Sequence, residues 1–370
     1  MTGTVGSALE RMIRSAIDAA LVLAAAAAIL FGGPSSAGSA PSRGFVAARS
    51  IIALDPPVDS VRSVGLTVAD LERNIEFFTG VLEFRLVAVD ERHGPEVERT
   101  TGVFGARIRE ATLALGDEQL RLTQFIAPEG RPIPIDSRSN DCWFQHAAIV
   151  VSDIDLAYAH LRRCNVRHAS PAPQTLPESI PAAAGISAFY FKAPEGHVLE
   201  IIRFPEGKGD PRWQGRADSL FLGIDHTAIV VRDTERAMGF YRDLLGMQVV
   251  GQSENHGPEQ ARLNNVEAAR LRITTLRAQH GPGVELLEYL SPRNGRDTPA
   301  DAVPNDALAW TTRLSAADAA GLLVAMEAAG TPVVSRGCRA DGRVSPFLVR
   351  DPDRHLVLLE PACAPGRERP

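Results

Sequence analysis

Two segments of the chain begin with a histidine and lead, more than fifty residues later, to an apolar run that carries a glutamate. HAAIVVSDIDLAYAHLRRCNV starts at His146 and leads to Glu200 in GHVLEII, and HTAIVVRDTERAMGFYRDLLGM starts at His226 and leads to Glu285 in GVELLEY. Imidazole and carboxylate groups are common ligands of divalent metals. A lone histidine that opens an alternating strand is most often structural. The repeated pairing of His with Glu is therefore what makes a metal site a serious hypothesis.

The same pattern occurs twice more without the histidine and the glutamate. SVGLTVADLERNIEFFTGVLEF begins at Ser63, 163 residues before the similar segment at His226. TTRLSAADAAGLLVAMEAAGT begins at Thr311, 165 residues after the similar segment at His146. A unit of about 160 residues is therefore duplicated, and each copy divides into two similar modules. Only the two inner modules keep both polar residues.

Each module is predicted to form a strand, a helix and then three strands. In the third module, 224–231 alternates like a half-buried strand, Asp233 suits a helix N-cap, and Gly246 suits a C-cap. The modules are placed at 61–126, 144–204, 222–290 and 307–361, which gives domains over 61–204 and 220–361. Linkers rich in proline and glycine separate them at 127–141, 205–219 and 291–306. We find no parallel βαβ pattern and no glycine-rich phosphate loop, so a dinucleotide-binding fold is disfavoured.

Composition and net charge limit the classes of binding partner that we expect. The 370 residues carry a net charge of -6, and no basic run is interleaved with aromatic residues, so nucleic acid is not an expected partner. A small molecule is the expected partner, and the sequence leaves monomer and homodimer open. Four cysteines form no CxxC motif, which disfavours structural zinc. They leave both disulfides and free buried thiols open, and they are Cys142, Cys164, Cys338 and Cys363.

The two ends of the chain are not expected to belong to the fold. Residues 19–31 form an apolar run of thirteen, preceded by Arg11 and Arg14. This run is short for a bilayer span and typical of a signal peptide. We therefore predict a signal or leader over 1–45 and a periplasmic or secreted protein, with an uncleaved membrane anchor as the alternative. Residues 362–370 are predicted to be a disordered tail.

The module motifs resemble those of the vicinal oxygen chelate superfamily, which includes glyoxalase I, methylmalonyl-CoA epimerase, extradiol dioxygenases and bleomycin-resistance proteins. The resemblance rests on the strand–helix openings and last strands quoted above and on the loops APEG (193–196) and DPDR (351–354). It covers nearly all of 61–361. It implies an α+β fold in which four βαβββ modules pair into two U-shaped barrels. It also implies a divalent metal held by the first and last strands of two paired modules.

The resemblance assigns eight ligand positions to this chain. The first-strand positions are Ser63, His146, His226 and Thr311, and the last-strand positions are Arg121, Glu200, Glu285 and Leu358. The neighbouring Trp310 and Glu360 are the alternatives for the fourth module. If modules pair in chain order, each barrel holds half a site. If modules 2 and 3 pair, one barrel gathers His146, Glu200, His226 and Glu285. We favour this crossed pairing, with one metal site and no metal site between modules 1 and 4.

Two imidazoles and two carboxylates suit Zn, Ni, Fe, Mn or Co with open positions for two vicinal oxygens of a substrate. The resemblance to glyoxalase I implies a lyase or isomerase in which Glu200 is the general base, and Glu285 stays a ligand or shares that role. An extradiol-type dioxygenase and a non-catalytic small-molecule-binding protein of the bleomycin-resistance type are the alternatives.

Four other residues are predicted to lie outside the site. Glu288 is out of phase with Glu285 on the same strand and is expected to face solvent. His197 and His355 precede last strands and are expected to be loop residues. Trp213, in a linker, is expected on a surface loop, with a cap over a barrel as the alternative.

Overall fold

A computed structural model describes residues 56–335, 339–340 and 343–362 of the chain. The predicted leader, nearly all of the predicted tail, and Cys338 and Cys363 lie outside these ranges. Within them, Cys142 is buried, Cys164 is exposed, and both are free thiols. No helix among the described residues is long and apolar enough to cross a membrane.

The elements follow the four predicted modules. Module 1 contains β1 (Val58–Val68), α1 (Leu71–Val81), β2 (Arg85–His93), α2 (Pro95–Thr101), β3 (Arg107–Leu115) and β4 (Glu118–Ala127). Module 2 contains β5 (Gln145–Val151), α3 (Ile154–Arg163), β6 (Arg167–His168), β7 (Gln174–Thr175), β8 (Ser187–Lys192) and β9 (Val198–Arg203). A short 3-10 helix at Pro211–Trp213 lies in the linker to module 3.

Module 3 contains β10 (Phe221–Val231), α4 (Thr234–Met238, continued by a π-helix at Gly239–Leu244), β11 (Gln248–Asn255), α5 (Pro258–Asn264), β12 (Arg270–Arg277) and β13 (Gly283–Ser291). Module 4 contains β14 (Trp310–Ala316), α6 (Ala319–Ala328), β15 (Val333–Ser335), β16 (Arg339–Ala340), β17 (Arg343–Val344), β18 (Phe347–Arg350) and β19 (Leu356–Pro361).

The sheet order shows the crossed pairing. One sheet runs β15-β18-β19-β14-β1-β4-β3-β2, which joins modules 4 and 1. The other runs β11-β12-β13-β10-β5-β9-β8-β6, which joins modules 3 and 2, with β7 paired to β8. In both sheets the first strands of the two modules pair antiparallel at the centre, and each is parallel to the last strand of its own module. The two sequence halves therefore exchange partners when their sheets form.

Two hydrophobic cores join modules of the same sequence half, and a third lies between modules 2 and 3. One core packs α1 of module 1 against α3 of module 2, through Phe78 and Leu161 among others. A second core packs modules 3 and 4 together, through Tyr241 and Phe347. Each half of the sequence thus shares a core behind the sheets, while each barrel takes one module from each half. This double linkage makes residues 56–362 a single compact unit, apart from the ranges that are not described.

Aspartates begin the four main helices. The side chain of Asp233 accepts a hydrogen bond from the backbone N–H of Arg236, which is the N-cap that the sequence predicts. Equivalent caps begin α1, α3 and α6, at Asp70, Asp153 and Asp318. Two short helices, α2 and α5, were not predicted. Each begins after a glycine with a left-handed backbone, Gly94 at φ 91 and Gly257 at φ 93.

Two histidines fasten the barrels to each other. His197 and His355 lie in loops before the last strands, as predicted, but both are buried. Nε2 of His197 lies 2.8 Å from the carbonyl oxygen of Ala307, and Nε2 of His355 lies 2.9 Å from that of Val230. Each loop of one barrel therefore hydrogen-bonds to a segment that enters the other.

The prediction for Glu288 was wrong. Its phase relative to Glu285 is as expected, but the face it occupies is covered by α4, and Glu288 is 5% exposed. Its carboxylate accepts hydrogen bonds from the backbone N–H and the hydroxyl of Thr234, at 3.2 and 2.8 Å. The alternation of side chains along a strand predicts which face a residue occupies, but not which element covers that face.

Candidate metal centre

The four residues assigned to the inner modules lie at the centre of one sheet. They are His146 on β5, Glu200 on β9, His226 on β10 and Glu285 on β13. The pairing register is reciprocal: Ala228 is the Cα partner of both His146 and Glu285, and Ala148 is the partner of both His226 and Glu200. Because side chains alternate along a strand, this register sends all four toward one face.

The ligand atoms converge. Nε2 of His146 lies 3.1 Å from Oε2 of Glu200, and Nε2 of His226 lies 3.6 Å from the same oxygen. Nε2 of His226 also lies 3.3 Å from Oε2 of Glu285. One ligand atom from each of His146, Glu200 and His226 falls within 4.8 Å of the others. A single ion can be reached by all three side chains, and Glu285 borders the same point.

The electrostatics of the cluster suit a cation. Burial alone would lower the pKa of His226, but Glu285, Asp225 and Glu200 outweigh it and raise that pKa to about 9. The carboxylates thus favour a positive charge at the ring, which a divalent ion would supply in place of the proton. His146 is 1% exposed, and its Nδ1 makes no hydrogen bond within the described part of the chain, while its Nε2 lies toward Glu200. The residues present therefore fit a divalent metal.

Asp225 fixes the ring of His226, a role that we did not predict. Neighbours on a strand normally face opposite sides, but the register of β10 shifts between Ile224 and His226, and the bulge brings Asp225 beside the next residue. Oδ2 of Asp225 lies 3.0 Å from Nδ1 of His226. Burial would raise the pKa of Asp225, but His226 and Arg277 hold it far below its usual range. A carboxylate on the far nitrogen orients a metal-binding imidazole.

A hydroxyl orients one glutamate in a similar way. Oγ1 of Thr275, on the neighbouring strand β12, donates to Oε1 of Glu285 at 2.7 Å. This contact leaves Oε2 of Glu285 toward His226. The signal in the sequence was weak, because Thr275 is one of two adjacent threonines in a strand that alternates.

Trp213 belongs to the support of the site, and its placement on a surface loop was wrong. The residue is 7% exposed, and its Nε1 donates to Oδ1 of Asp225 at 2.9 Å. The guanidinium of Arg212 lies 4.0 Å above its ring. On the other side the ring packs against Gly223, where an added Cβ would come within 2.7 Å of Trp213. The linker between the sequence halves therefore reaches into the barrel from modules 2 and 3.

The four side chains open onto a cavity of about 480 Å³. One wall is apolar and comes from modules 2 and 3, including Leu176, Ile202 and Leu287. The opposite side carries polar residues of β11 and α5, including Asn255 and Gln260. A cavity of this size with a few convergent polar groups is typical of a small-molecule site.

The equivalent positions of the other barrel carry an ion network. The register pairs Arg313 with both Ser63 and Leu358, as it pairs Ala148 with His226 and Glu200. The assignments of Thr311 and Leu358 therefore hold against Trp310 and Glu360. Beside them lies Glu110, which is 3% exposed.

Three guanidinium groups surround the carboxylate of Glu110. Arg121 donates to its Oε1 at 2.7 Å and Arg92 donates to the same oxygen at 3.1 Å, while Arg313 donates to Oε2. Burial opposes ionisation, but the attraction of these three arginines lowers the pKa of Glu110 to about 2. Arg121 stands where the inner modules have Glu285. In the described part of this barrel, no group of metal-binding side chains converges.

Known proteins resemble the chain over both halves. A 2-epi-5-epi-valiolone epimerase of an Actinomyces species is 35% identical over 161 residues, which cover 41% of this chain and 83% of that protein. Glyoxalase I from Zea mays is 16% identical, with a TM-score of 0.54 over 81% of this chain and 92% of that one. A putative dioxygenase from Bacillus subtilis is 14% identical, with a TM-score of 0.51 over 83% of this chain and 86% of that one.

The two solved structures share the fold with this chain. The family model described as the glyoxalase/bleomycin resistance protein/dioxygenase superfamily matches residues 60–201 and 223–359. These two segments cover both sequence halves and all four modules. The chain therefore belongs to the glyoxalase/bleomycin resistance protein/dioxygenase superfamily.

Proposed function

We propose that this protein is a divalent-metal-dependent isomerase that epimerises a small substrate at the carbon next to a carbonyl. The observation that carries the proposal is the convergence of His146, Glu200 and His226 within 4.8 Å at the base of a cavity. The name of the Actinomyces relative, an epimerase of a compound named as a ketone, supports this class of reaction.

The metal would be held by the four side chains of the inner modules. When bound there, a divalent ion supplies Lewis-acid polarisation of a substrate carbonyl. His146, Glu200 and His226 are buried, and their burial strengthens each charge interaction around that point. Thr275 and Asp225 keep Glu285 and His226 in position without touching the ligand atoms themselves.

Two carboxylates flank the ring nitrogen of His226 and can serve opposite faces of a substrate. Glu200, ionised at the start, takes the proton from the carbon next to the carbonyl, and Glu285, protonated at the start, delivers a proton to the other face and inverts that centre. The two carboxyl groups then re-equilibrate through solvent, so no atom is gained or lost. Within the described ranges, the recorded partners of Glu200 are the two imidazoles, which leave it free to act as a base. Glu285 is tethered through Thr275.

Solvent exchange tests this proposal. Protein stripped of metal and reloaded with Zn, Ni, Co, Mn or Fe is incubated with 2-epi-5-epi-valiolone in deuterated water and followed by nuclear magnetic resonance. We expect deuterium next to the carbonyl and a second epimer with at least one metal. At metal concentrations that saturate it, Glu200→Gln should lose exchange, because its amide oxygen can still bind the ion but cannot accept the proton. Failure of the wild type to take up stoichiometric metal would overturn the proposal, and uptake of metal without exchange would favour a binding protein.

A dioxygenase is the second candidate, because two histidines and one carboxylate can also bind iron with open positions. Glu285 argues against it, since its Oε2 lies 3.3 Å from His226 and provides a fourth donor. Oxygen consumption by the iron-loaded protein with catechol, absent with the other metals, would favour the dioxygenase.

A further inference from the structure

The cavity over the candidate metal centre offers little to bind an anion. The charged side chains that line it, apart from the two histidines, are four carboxylates and one arginine: Asp210, Glu200, Asp225, Glu285 and Arg277. The arginine is engaged, since an Nη of Arg277 donates to Oδ1 of Asp225 at 2.8 Å. Even with a divalent ion bound, the cavity wall has no net positive charge that would attract a phosphate or carboxylate group of a substrate. The charge balance of the wall therefore favours a neutral substrate.

A chain of amides begins on the polar side of this cavity, where Asn255 and Gln260 line it. Nδ2 of Asn255 donates to Oε1 of Gln260 at 2.9 Å, and Nε2 of Gln260 donates to Oδ1 of Asn264. The three residues are 3%, 2% and 1% exposed. β11 ends at Asn255, and α5 supplies the other two, so the chain joins two elements of module 3.

The Asn255 end of the amide chain has an atom without a partner. Oδ1 of Asn255 is buried and makes no hydrogen bond within the described part of the protein. A buried polar group that lacks a partner costs about 1–3 kcal/mol, and such groups are uncommon in folded proteins. Asn255 lines the cavity, so a bound molecule can supply the missing partner. A hydroxyl suits either end of an amide because it both donates and accepts.

The equivalent of Asn255 in the other barrel shows how far a longer side chain at this position extends. Asn255 pairs with Leu271 across its sheet as Arg92 pairs with Ile108 in module 1. Arg92 extends to Glu110, and Glu110 contacts Arg121, which stands at the position of Glu285. In the barrel of modules 1 and 4, side chains therefore fill the space between Arg92 and Arg121. In the barrel of modules 2 and 3, the side chain of Asn255 is short, and the space between it and Glu285 is open cavity.

We propose that the cavity binds a neutral polyhydroxylated molecule, and that Asn255 determines specificity by accepting a hydrogen bond from a hydroxyl remote from the metal. This inference rests on the proposed function, because it takes the carbonyl and the neighbouring oxygen of the substrate as the groups that bind the metal. The apolar wall near Leu287 and Ile202 would cover the carbon skeleton of the same molecule. Gln260 is a positioning residue that holds the amide of Asn255 in place.

Two pairs of probes test the inference with metal-loaded protein and titration calorimetry. 2-Keto-myo-inositol and 2-hydroxycyclohexanone both present a ketone beside a hydroxyl, and only the first has further hydroxyls. Dihydroxyacetone and its phosphate differ by one phosphoryl group, which adds negative charge and bulk. We expect the wild type to bind 2-keto-myo-inositol at least about tenfold more tightly than 2-hydroxycyclohexanone. The phosphate should bind no more tightly than dihydroxyacetone.

Variants at Asn255 separate this inference from the proposed function. Asn255→Leu should lose the preference for 2-keto-myo-inositol while it keeps its metal and its affinity for 2-hydroxycyclohexanone. Asn255→Ala replaces the leucine variant if that one fails to fold. Ser253→Ala, on the same strand and cavity wall, is the matched control. A wild type without the preference, or an Asn255→Leu protein that keeps it, overturns the inference and leaves the isomerase intact. Absence of metal uptake overturns the isomerase instead.

Discussion

The carboxylate of Asp225 lies 3.0 Å from Nδ1 of His226, and this contact turns Nε2 of the ring toward Glu200 and Glu285. His146 has no such partner on its Nδ1 in the described part of the chain. The two candidate imidazole ligands are therefore unequal, because only one is held in a fixed tautomer from behind. The inequality predicts that a residue outside the ligand set controls the affinity of the site.

Asp225→Asn should weaken metal binding by about 10- to 100-fold, because the amide removes the charge that fixes the ring of His226. Competition with a chromophoric chelator measures the affinity. Asp218→Asn is the control, since Asp218 is an exposed linker residue that pairs with Arg216. An Asp225→Asn protein that holds metal as tightly as wild type would show that the contact does not position the ring.

Replacement of one histidine should distinguish the two barrels. His146→Ala removes a ligand of the candidate centre, so bound metal should fall from stoichiometric to trace amounts. Thr311→Ala changes the equivalent position between modules 1 and 4 and should leave metal content unchanged. Elemental analysis of both purified proteins checks this. Equal metal content in the two variants would mean that the metal, if any, binds elsewhere.

The arrangement of modules was predictable from the sequence because the duplication preserved spacing. Offsets of 163 and 165 residues aligned all four modules, and the register confirms them at Thr311 and Leu358. The retention of His146 and Glu200 in one module and of His226 and Glu285 in another favoured the crossed pairing. The sheet order shows that pairing directly.

The supporting residues were not predictable, because they depend on breaks in regular patterns. A strand alternates, so Asp225 should have faced away from the site, and only the bulge before His226 brings it back. Trp213 lies in a linker whose path is set by the folded barrels. Glu110 has Arg92 and Arg121 in its own module, but it gains Arg313 from module 4 only because β1 pairs with β14.

Glu110 should make the protein sensitive to acid. Its folded pKa of about 2 lies below the ordinary 4.5, so its ion network stabilises the fold fully above pH 4.5. The contribution, on the order of 3 kcal/mol, is lost as pH falls from about 4.5 toward 2. Glu110→Gln should lower the free energy of unfolding by about 3 kcal/mol at pH 7 and flatten this part of the pH profile.

Urea denaturation at a series of pH values measures the effect. Glu91→Gln is the control, because Glu91 pairs with Arg107 at the surface and is 42% exposed. That pair should contribute less than about 1 kcal/mol. A Glu110→Gln protein with an unchanged slope between pH 4.5 and 2 would contradict the assignment of the acid sensitivity to this network.

Gly223 should control the candidate centre through Trp213. An added Cβ would meet Oε2 of Glu118 and would lie 2.7 and 3.0 Å from two ring carbons of Trp213. Nε1 of Trp213 holds Asp225, and Asp225 in turn holds His226. Gly223→Ala should therefore cost about 1–3 kcal/mol of stability through overpacking and should also weaken metal binding. Gly239→Ala is the matched control, since a Cβ at Gly239 would meet no atom within 4 Å. Thermal unfolding and chelator competition give the two readouts. Loss of stability with unchanged metal affinity would contradict the proposed link from linker to ligand.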